Sequence, residues 1–289
     1  MNKSKKLREL IKSNQLEFIM EAHNGISCKI VEKTGFKGIW ASGLTMSSSL
    51  GLRDCNEASF SQVLQVLEYM NDSTNLPILV DGDTGYGNFN TARRFVRKLE
   101  QIGIAGVCFE DKIFPKTNSF ISVEGGQKLA NIDEFCGKIK ACKEYQTTKD
   151  FVVVARVEAF IAGLGCEEAL KRAKRYHEAG ADAILVHSKI STSEDIEDFM
   201  KQWDNRCPII IVPTKYYKTP TDDFRNLGIS LVIWANHNMR TAIKSMELLS
   251  KDIYENQSLI NIEDKITKVN EIFEYTNETG LKEDEKKYS

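Results

Sequence analysis

Carboxylates, one arginine and one histidine stand where a chemical site could use them. Asp81 and Asp83 fall in DGDTGYG, Glu110 in FEDK, Arg156 in ARVE and His187 in VHSK, each behind a short apolar run. Period-two geometry puts Asp81 and Asp83 on one face of an extended strand. Three acids gathered at one rim repel one another unless a cation joins them. Hard oxygen donors without Cys or His suit Mg2+ or Mn2+, and Mg2+ keeps several of its waters. The alternative is a set of loop-capping acids paired with Lys112 and Arg156. The forked guanidinium of Arg156 suits phosphate or carboxylate, or a structural ion pair. His187 stands out only by its position, and His23, His177 and His237 have weaker contexts. Residues 114–119 read FPKTNS. Lys116, Asn118 and Ser119 supply a cation, an amide and a hydroxyl on a loop that could close over an anion and exclude water.

Positioning such groups requires a scaffold, and its elements recur along the chain. Eight β-rich runs are expected at residues 17–22, 38–42, 77–83, 106–111, 151–158, 183–188, 208–213 and 230–235. Most are almost continuously apolar, as parallel strands covered on both faces are. Helical patterns lie between them. Residues 89–103 place Ala92, Phe95, Val96 and Leu99 on one face, and residues 166–180 repeat the logic. Gly35, Gly103, Gly180 and Gly228 each stand just before a strand, where a left-handed helix cap needs no Cβ. Eight strands alternating with helices predict an α/β fold, a single (β/α)8 TIM-type barrel. An open doubly wound sheet is the alternative, but no G-x-G-x-x-G follows an early strand. In a barrel the site lies at the C-terminal ends of the strands, where these charged residues fall and where Ser42-Gly43 ends the second run. Residues 1–275 are read as one catalytic domain including C-terminal helices, and residues 276–289 as a disordered or solvated tail.

Composition narrows the function classes. The 289 residues carry a net charge of −2, with 42% hydrophobic and 28% charged residues. No basic block offers a nucleic-acid footprint. No run approaches the roughly 18–20 apolar residues of a membrane span, so no membrane partner is expected. The N-terminus lacks the apolar stretch of a signal peptide. Seven cysteines, never in C-x-x-C spacing, fit reduced thiols in a cytoplasmic enzyme.

The segments LEFIMEAHNG, GFKGIWASGL, LVDGDTGYGNF, EDKIFPKTNS, VARVEAFIAG, ILVHSK and VPTKYYKTP together resemble the phosphoenolpyruvate mutases of the isocitrate lyase superfamily. The resemblance runs in order from about Leu16 to Phe273. D-x-D-x-G-Y-G marks only the superfamily; K-T-N-S behind E-D-K is more specific. The resemblance implies a small-molecule enzyme that isomerises phosphoenolpyruvate and phosphonopyruvate, the first step of phosphonate biosynthesis. It implies Mg2+ on Asp81, with Asp83 and Glu110 acting largely through water. It implies a homo-oligomer, a dimer of dimers with a swapped C-terminal helix. Arg156, His187, Asn118 and Ser119 become the expected phosphoryl contacts, with Lys116 on the gate. Ser42, Gly43 and Leu44 would hold the pyruvyl enolate, Trp40 would wall its pocket, and Asp54 in GLRD matches an acid of the closed state. The superfamily's carbon–carbon lyases carry a catalytic Cys in a K-[KR]-C-G-H loop, which is absent here. Phosphonopyruvate hydrolases typically place Thr where Asn118 stands, so Asn118 favours the mutase; the hydrolase, or another Mg-dependent lyase of the superfamily, is the alternative.

Overall fold

Alternation along eight strands divides the apolar residues of this chain between two cores. The computed structural model describes residues 2–122, 124 and 126–289. Its strands are β1 (Glu17–Ala22), β2 (Ile39–Ala41), β3 (Ile78–Asp81), β4 (Gly106–Glu110), β5 (Val152–Val157), β6 (Ala183–Val186), β7 (Ile209–Ile211) and β8 (Leu231–Trp234). All neighbours pair in parallel, in chain order, and β8 returns to β1 to close a barrel. The closed barrel expected from the sequence is therefore present, and the open sheet is not. Ile19, Trp40, Leu79, Cys108, Val154, Leu185, Ile210 and Ile233 fill one cluster. Their strand neighbours, such as Val80, Val107, Ala155, Val186 and Val232, join the other with the surrounding helices. Burial on both faces explains why the strands read as continuous apolar runs.

Helices follow the strands. They are α1 (Lys3–Ile11), α2 (Gly25–Lys33), α3 (Gly43–Ser49), α4 (Phe60–Asp72), α5 (Phe89–Gln101), α6 (Ile132–Tyr145), α7 (Gly165–Glu178), α8 (Glu194–Trp203), α9 (Thr221–Asn226) and α10 (His237–Asn256). In α5 the predicted face, Ala92, Phe95, Val96 and Leu99, is completely buried. Each of its three larger side chains contributes roughly 1.5–3 kcal/mol by leaving water. Leu7, Leu10 and Ile11 of α1 belong to the same cluster as the inward strand residues. A Cβ at Gly106 would stand 2.8 Å from the Val152 carbonyl oxygen of the neighbouring strand and 2.8 Å from Leu7 Cδ2, so the start of β4 must be glycine. Arg8 fastens that helix, donating to Asp182 Oδ1 at 3.0 Å and to the Phe151 carbonyl at 3.0 Å.

Two sequence expectations need correction. The run 77–83 overshoots β3, which stops at Asp81; Asp83 has left the strand with φ +50°. Asp81 and Asp83 therefore do not share a strand face. The tail expected to be disordered or solvated is exposed but helical: it holds α12 (Glu278–Tyr288), preceded by a 3-10 turn (Glu263–Lys265) and α11 (Val269–Thr276). Its Glu and Lys are good helix formers, and Lys286 and Lys287 complement the helix C-terminus. Residues 281–289 are all exposed. Contacts also divide the chain into residues 1–237 and 238–289, not at residue 275. Within the second unit Ile243, Met246, Leu248, Tyr254, Ile260, Ile272 and Phe273 are exposed. Among the described residues no helix is long and apolar enough to cross a membrane.

Candidate active site

The strand ends and the loops behind them gather the predicted residues around one cleft. It is lined by Trp40, Ser42, Leu44, Asp54, Asp81, Glu110, Lys116, Asn118, Ser119, Arg156 and His187, together with Thr117, Phe120, Val212, Thr214, Ala235 and Asn236. Of the expected set only Gly43 and Asp83 do not line it. Gly43 opens α3 directly behind the N-cap Ser42, and its amide donates to Asp81 Oδ2 at 3.3 Å. A Cβ there would lie 3.0 Å from Asp83 Oδ1 and 3.2 Å from Asp81 Oδ2, so glycine lets both carboxylates approach the helix start. The Asp83 amide donates to Asp81 Oδ1 at 3.3 Å, which folds the turn so that the two acids meet without strand alternation.

The loop behind β4 is closed. It leaves at Lys112, which forms an antiparallel bridge with Leu129 on the return. Lys116 is buried between two acids, with Nζ 2.8 Å from Asp54 Oδ1 and 2.5 Å from Asp83 Oδ1. Asn118 Nδ2 donates to Asp54 Oδ2 at 2.7 Å, and Asn118 Oδ1 accepts from the Phe120 amide at 2.9 Å. Asn56 completes the latch, donating to Asp83 Oδ2 at 2.9 Å and accepting from the Lys116 amide at 2.8 Å. The cavity volume is about 50 Å3, enough for a few water-sized groups.

Electrostatics follow from this burial. Desolvation alone would lower Lys116, but Asp83 and Asp54 hold its ammonium well above the usual range. Desolvation would raise Asp54, yet Lys116 and Asn118 bring it below its ordinary value. Asp83 goes the other way: burial pushes it up to about 7 against the pull of Lys116. Burial also raises Glu110, with Arg156 opposing. Glu110 Oε1 is buried without a hydrogen-bond partner, while Oε2 lies 3.4 Å from Arg156. An orphaned carboxylate oxygen, a neighbouring Asp81 that accepts only two long amide bonds, and an all-oxygen donor set fit a hard divalent cation. Asp83, whose oxygens meet Lys116 and Asn56, is less open to direct ligation. Among the described residues no three acidic, Cys or His side chains converge as a ready cage.

Beside Glu110, Arg156, His187 and Ser119 form a connected group. Arg156 donates to Ser119 Oγ at 3.1 Å, and its Nη2 lies 2.8 Å from His187 Nδ1. Burial and the Arg156 charge lower His187, which favours neutral imidazole. Phe120 packs its ring edge-on to His187 at 5.6 Å. Of the histidines set aside, His23 bonds Glu21 at 2.6 Å, and neither His177 nor His237 lines the cleft. Sequence reasoning missed Asn56, Lys112 and Glu158. Glu158 carried a signal: it stands two residues after Arg156 at the end of a strand, where an acid on an apolar barrel is costly. Asn56 carried none beyond a tolerance of its left-handed backbone, φ +64°.

Known proteins resemble the chain over nearly its whole length. The phosphoenolpyruvate phosphomutase family profile matches residues 7–254. The phosphoenolpyruvate phosphomutase of Tetrahymena pyriformis is 61% identical over 286 residues, 99% of this chain and 95% of its own. The crystal structure of the phosphoenolpyruvate phosphomutase from Streptomyces platensis subsp. rosaceus superimposes with TM-score 0.96 at 38% identity, covering 99% of each chain. A phosphonopyruvate hydrolase solved in complex with oxalate and Mg2+ superimposes with TM-score 0.93 at 36% identity, covering 100% of this chain and 99% of that one. With a family match over most of its length and a relative at this identity, the chain belongs to the phosphoenolpyruvate phosphomutase family.

Proposed function

We propose that this protein interconverts phosphoenolpyruvate and phosphonopyruvate, an isomerase that moves a phosphoryl group between the enol oxygen and C3 of one pyruvyl unit. In the forming direction the P–O bond breaks, the P–C bond forms, and the enol electrons supply the new bond. The observation that carries the reading is the closed loop, which buries Lys116 on Asp54 and Asp83 and ties Asn118 to Asp54. A phosphoryl group in flight resembles metaphosphate, and a site acts on it by positioning and charge. Arg156, His187, Ser119 and Asn118 would hold its oxygens. Trp40 would wall the pyruvyl unit, and the chain around Ser42, Gly43 and Leu44 would present amides to its oxygens. Lys116 and Asp54 keep the loop down, so that water does not intercept the phosphoryl group. Mg2+ on Asp81, reached through water by Glu110 and Asp83, would supply positive charge beside the pyruvyl oxygens.

The seven free thiols support a reducing, cytoplasmic setting. Exposed apolar side chains on the C-terminal helices support a homo-oligomer, a dimer of dimers, in which a second copy covers them. Light scattering should find a dimer or tetramer; a fully active monomer at micromolar concentration contradicts the assembly. The function itself is tested by phosphorus NMR of purified protein with phosphonopyruvate and Mg2+. Phosphoenolpyruvate is the expected product. Inorganic phosphate in its place would assign the chain to hydrolysis and defeat the mutase reading.

A further inference from the structure

Three of the side chains assigned to the phosphoryl group converge on a carboxylate that does not line the cleft. Glu158 Oε1 accepts from Arg156 Nε at 2.5 Å and lies 2.7 Å from His187 Nδ1. Its Oε2 accepts from Ser119 Oγ at 2.7 Å and stands 3.2 Å from Lys112 Nζ. Lys112 Nζ in turn donates to Ser119 Oγ at 2.6 Å and to the Thr117 carbonyl at 2.8 Å. The Glu158 side chain is wholly buried. Its backbone is fixed as well, because its amide donates to Asp111 Oδ1 at 2.8 Å. Asp111 Oδ2 is held by Arg172 at 3.0 Å and by the Tyr176 hydroxyl at 2.7 Å. Burying a carboxylate is unfavourable unless cations and donors surround it. Burial would raise Glu158, but Arg156, His187 and Lys112 hold it well below the usual range, so it stays ionised.

The geometry also bears on the imidazole. His187 Nδ1 stands between the Arg156 guanidinium at 2.8 Å and the Glu158 carboxylate at 2.7 Å. One nitrogen cannot accept from the first and donate to the second at once. A charged acceptor selects the tautomer with the proton on Nδ1.

We propose that Glu158 is the positioning residue of the phosphoryl site: it orients the Arg156 guanidinium, sets the His187 tautomer, and anchors Ser119, and with it the far end of the loop, to the barrel. The inference rests on the proposed isomerisation for its kinetic part only. Glu158 is itself an anion and does nothing to attract an anionic substrate. Its contribution therefore falls on the geometry of the transition state, where a displacement of about 1 Å can cost about 100-fold in rate. Neutralising it removes a repulsive charge while loosening three donors. This predicts a split that a merely structural residue would not give.

The experiment compares wild type, Glu158→Gln and Glu158→Asp in Mg2+, following phosphonopyruvate by phosphorus NMR and the four histidine rings by nitrogen-15 NMR, with His187→Asn as the assignment control. Glu158→Gln should lower kcat by at least about 30-fold while KM for phosphonopyruvate stays level or falls. Its His187 proton should move from Nδ1 toward Nε2. Glu158→Asp keeps the charge but withdraws it by one methylene, so it should keep the Nδ1 tautomer and recover part of kcat. Wild-type kcat in Glu158→Gln, or a raised KM at constant kcat, overturns the proposal. If Glu158→Gln does not fold, Glu158→Asp decides: wild-type kcat there overturns it, and a several-fold loss at level KM supports it. If wild type fails to isomerise, the proposed function falls, and the histidine spectra still judge Glu158: an unmoved tautomer overturns its role.

Discussion

Replacing Asn118 with alanine tests the loop at its most informative point. In the closed state the side chain makes two hydrogen bonds, one from Nδ2 to the ionised Asp54 at 2.7 Å and one accepted by Oδ1 from the Phe120 amide at 2.9 Å. A hydrogen bond to a charged group is worth about 1.5–3 kcal/mol and a neutral one about 0.5–1.5 kcal/mol. Only the first of these ties the loop to another segment, so Asn118→Ala shifts the closed-to-open balance by about 1.5–3 kcal/mol, or about 10- to 160-fold. Lys116 still bridges Asp54 and Asp83 in the variant, so the loop is weakened but not released. A loss of about 100-fold in isomerisation is expected, near the cost of one lost transition-state donor. The residual turnover should shift toward inorganic phosphate, because a loop that opens more often admits water. Phosphorus NMR resolves phosphonopyruvate, phosphoenolpyruvate and phosphate in one time course. If Asn118→Ala isomerises like wild type, the loop is not the gate described, and the choice of mutase over hydrolase loses its local support.

Chelation with EDTA should abolish turnover and Mg2+ restore it; full activity after exhaustive chelation would remove the cation from the mechanism. Among Asp81→Ala, Asp83→Ala and Glu110→Ala, the first should be the most damaging, at 100-fold or more in kcat/KM, because Asp81 alone faces the cleft without a cationic partner at hydrogen-bond distance. The pH dependence of stability should expose Asp83. Its folded-state value is raised from 3.8 to about 7, so between those values the native state holds a proton that the unfolded chain has lost, and stability falls as pH rises through that window. In chelator, any melting-temperature difference in favour of Asp83→Asn over wild type should shrink as pH is lowered from 8 to 5; a difference that is flat with pH contradicts the assignment.

The barrel was legible because both faces of most strands are buried, and a doubly buried strand writes itself as an apolar run with a charged end. The charged ends then marked the rim, since the apolar core below them has no use for Asp81, Glu110, Arg156 or His187. Asp83 reached the site by a different route from the one its spacing implied. The strand stops two residues earlier, and a left-handed turn closed by its own amide brings the acid round. In the tail the polar composition showed its exposure, while its helix propensity went unweighed.

What stayed hidden is the layer beneath the cleft, and the reason is physical. A lysine that is buried and one that is solvated look alike in a sequence. Lys112 and Lys116, four residues apart, are both buried, and they do opposite work. Lys112 joins Glu158 and Ser119, fixing the loop's far end to the barrel. Lys116 joins Asp54 and Asp83. The acids chosen by each ammonium therefore decide which end of the loop is an anchor and which is a latch. Asp54 belongs to a loop, whereas Glu158 is held through its own amide by the buried Asp111, itself clasped by Arg172 and Tyr176. Ser119 is thus fastened to a carboxylate that the barrel holds in place, and Lys116 to a pair of acids of which Asp54 stands on a loop of its own.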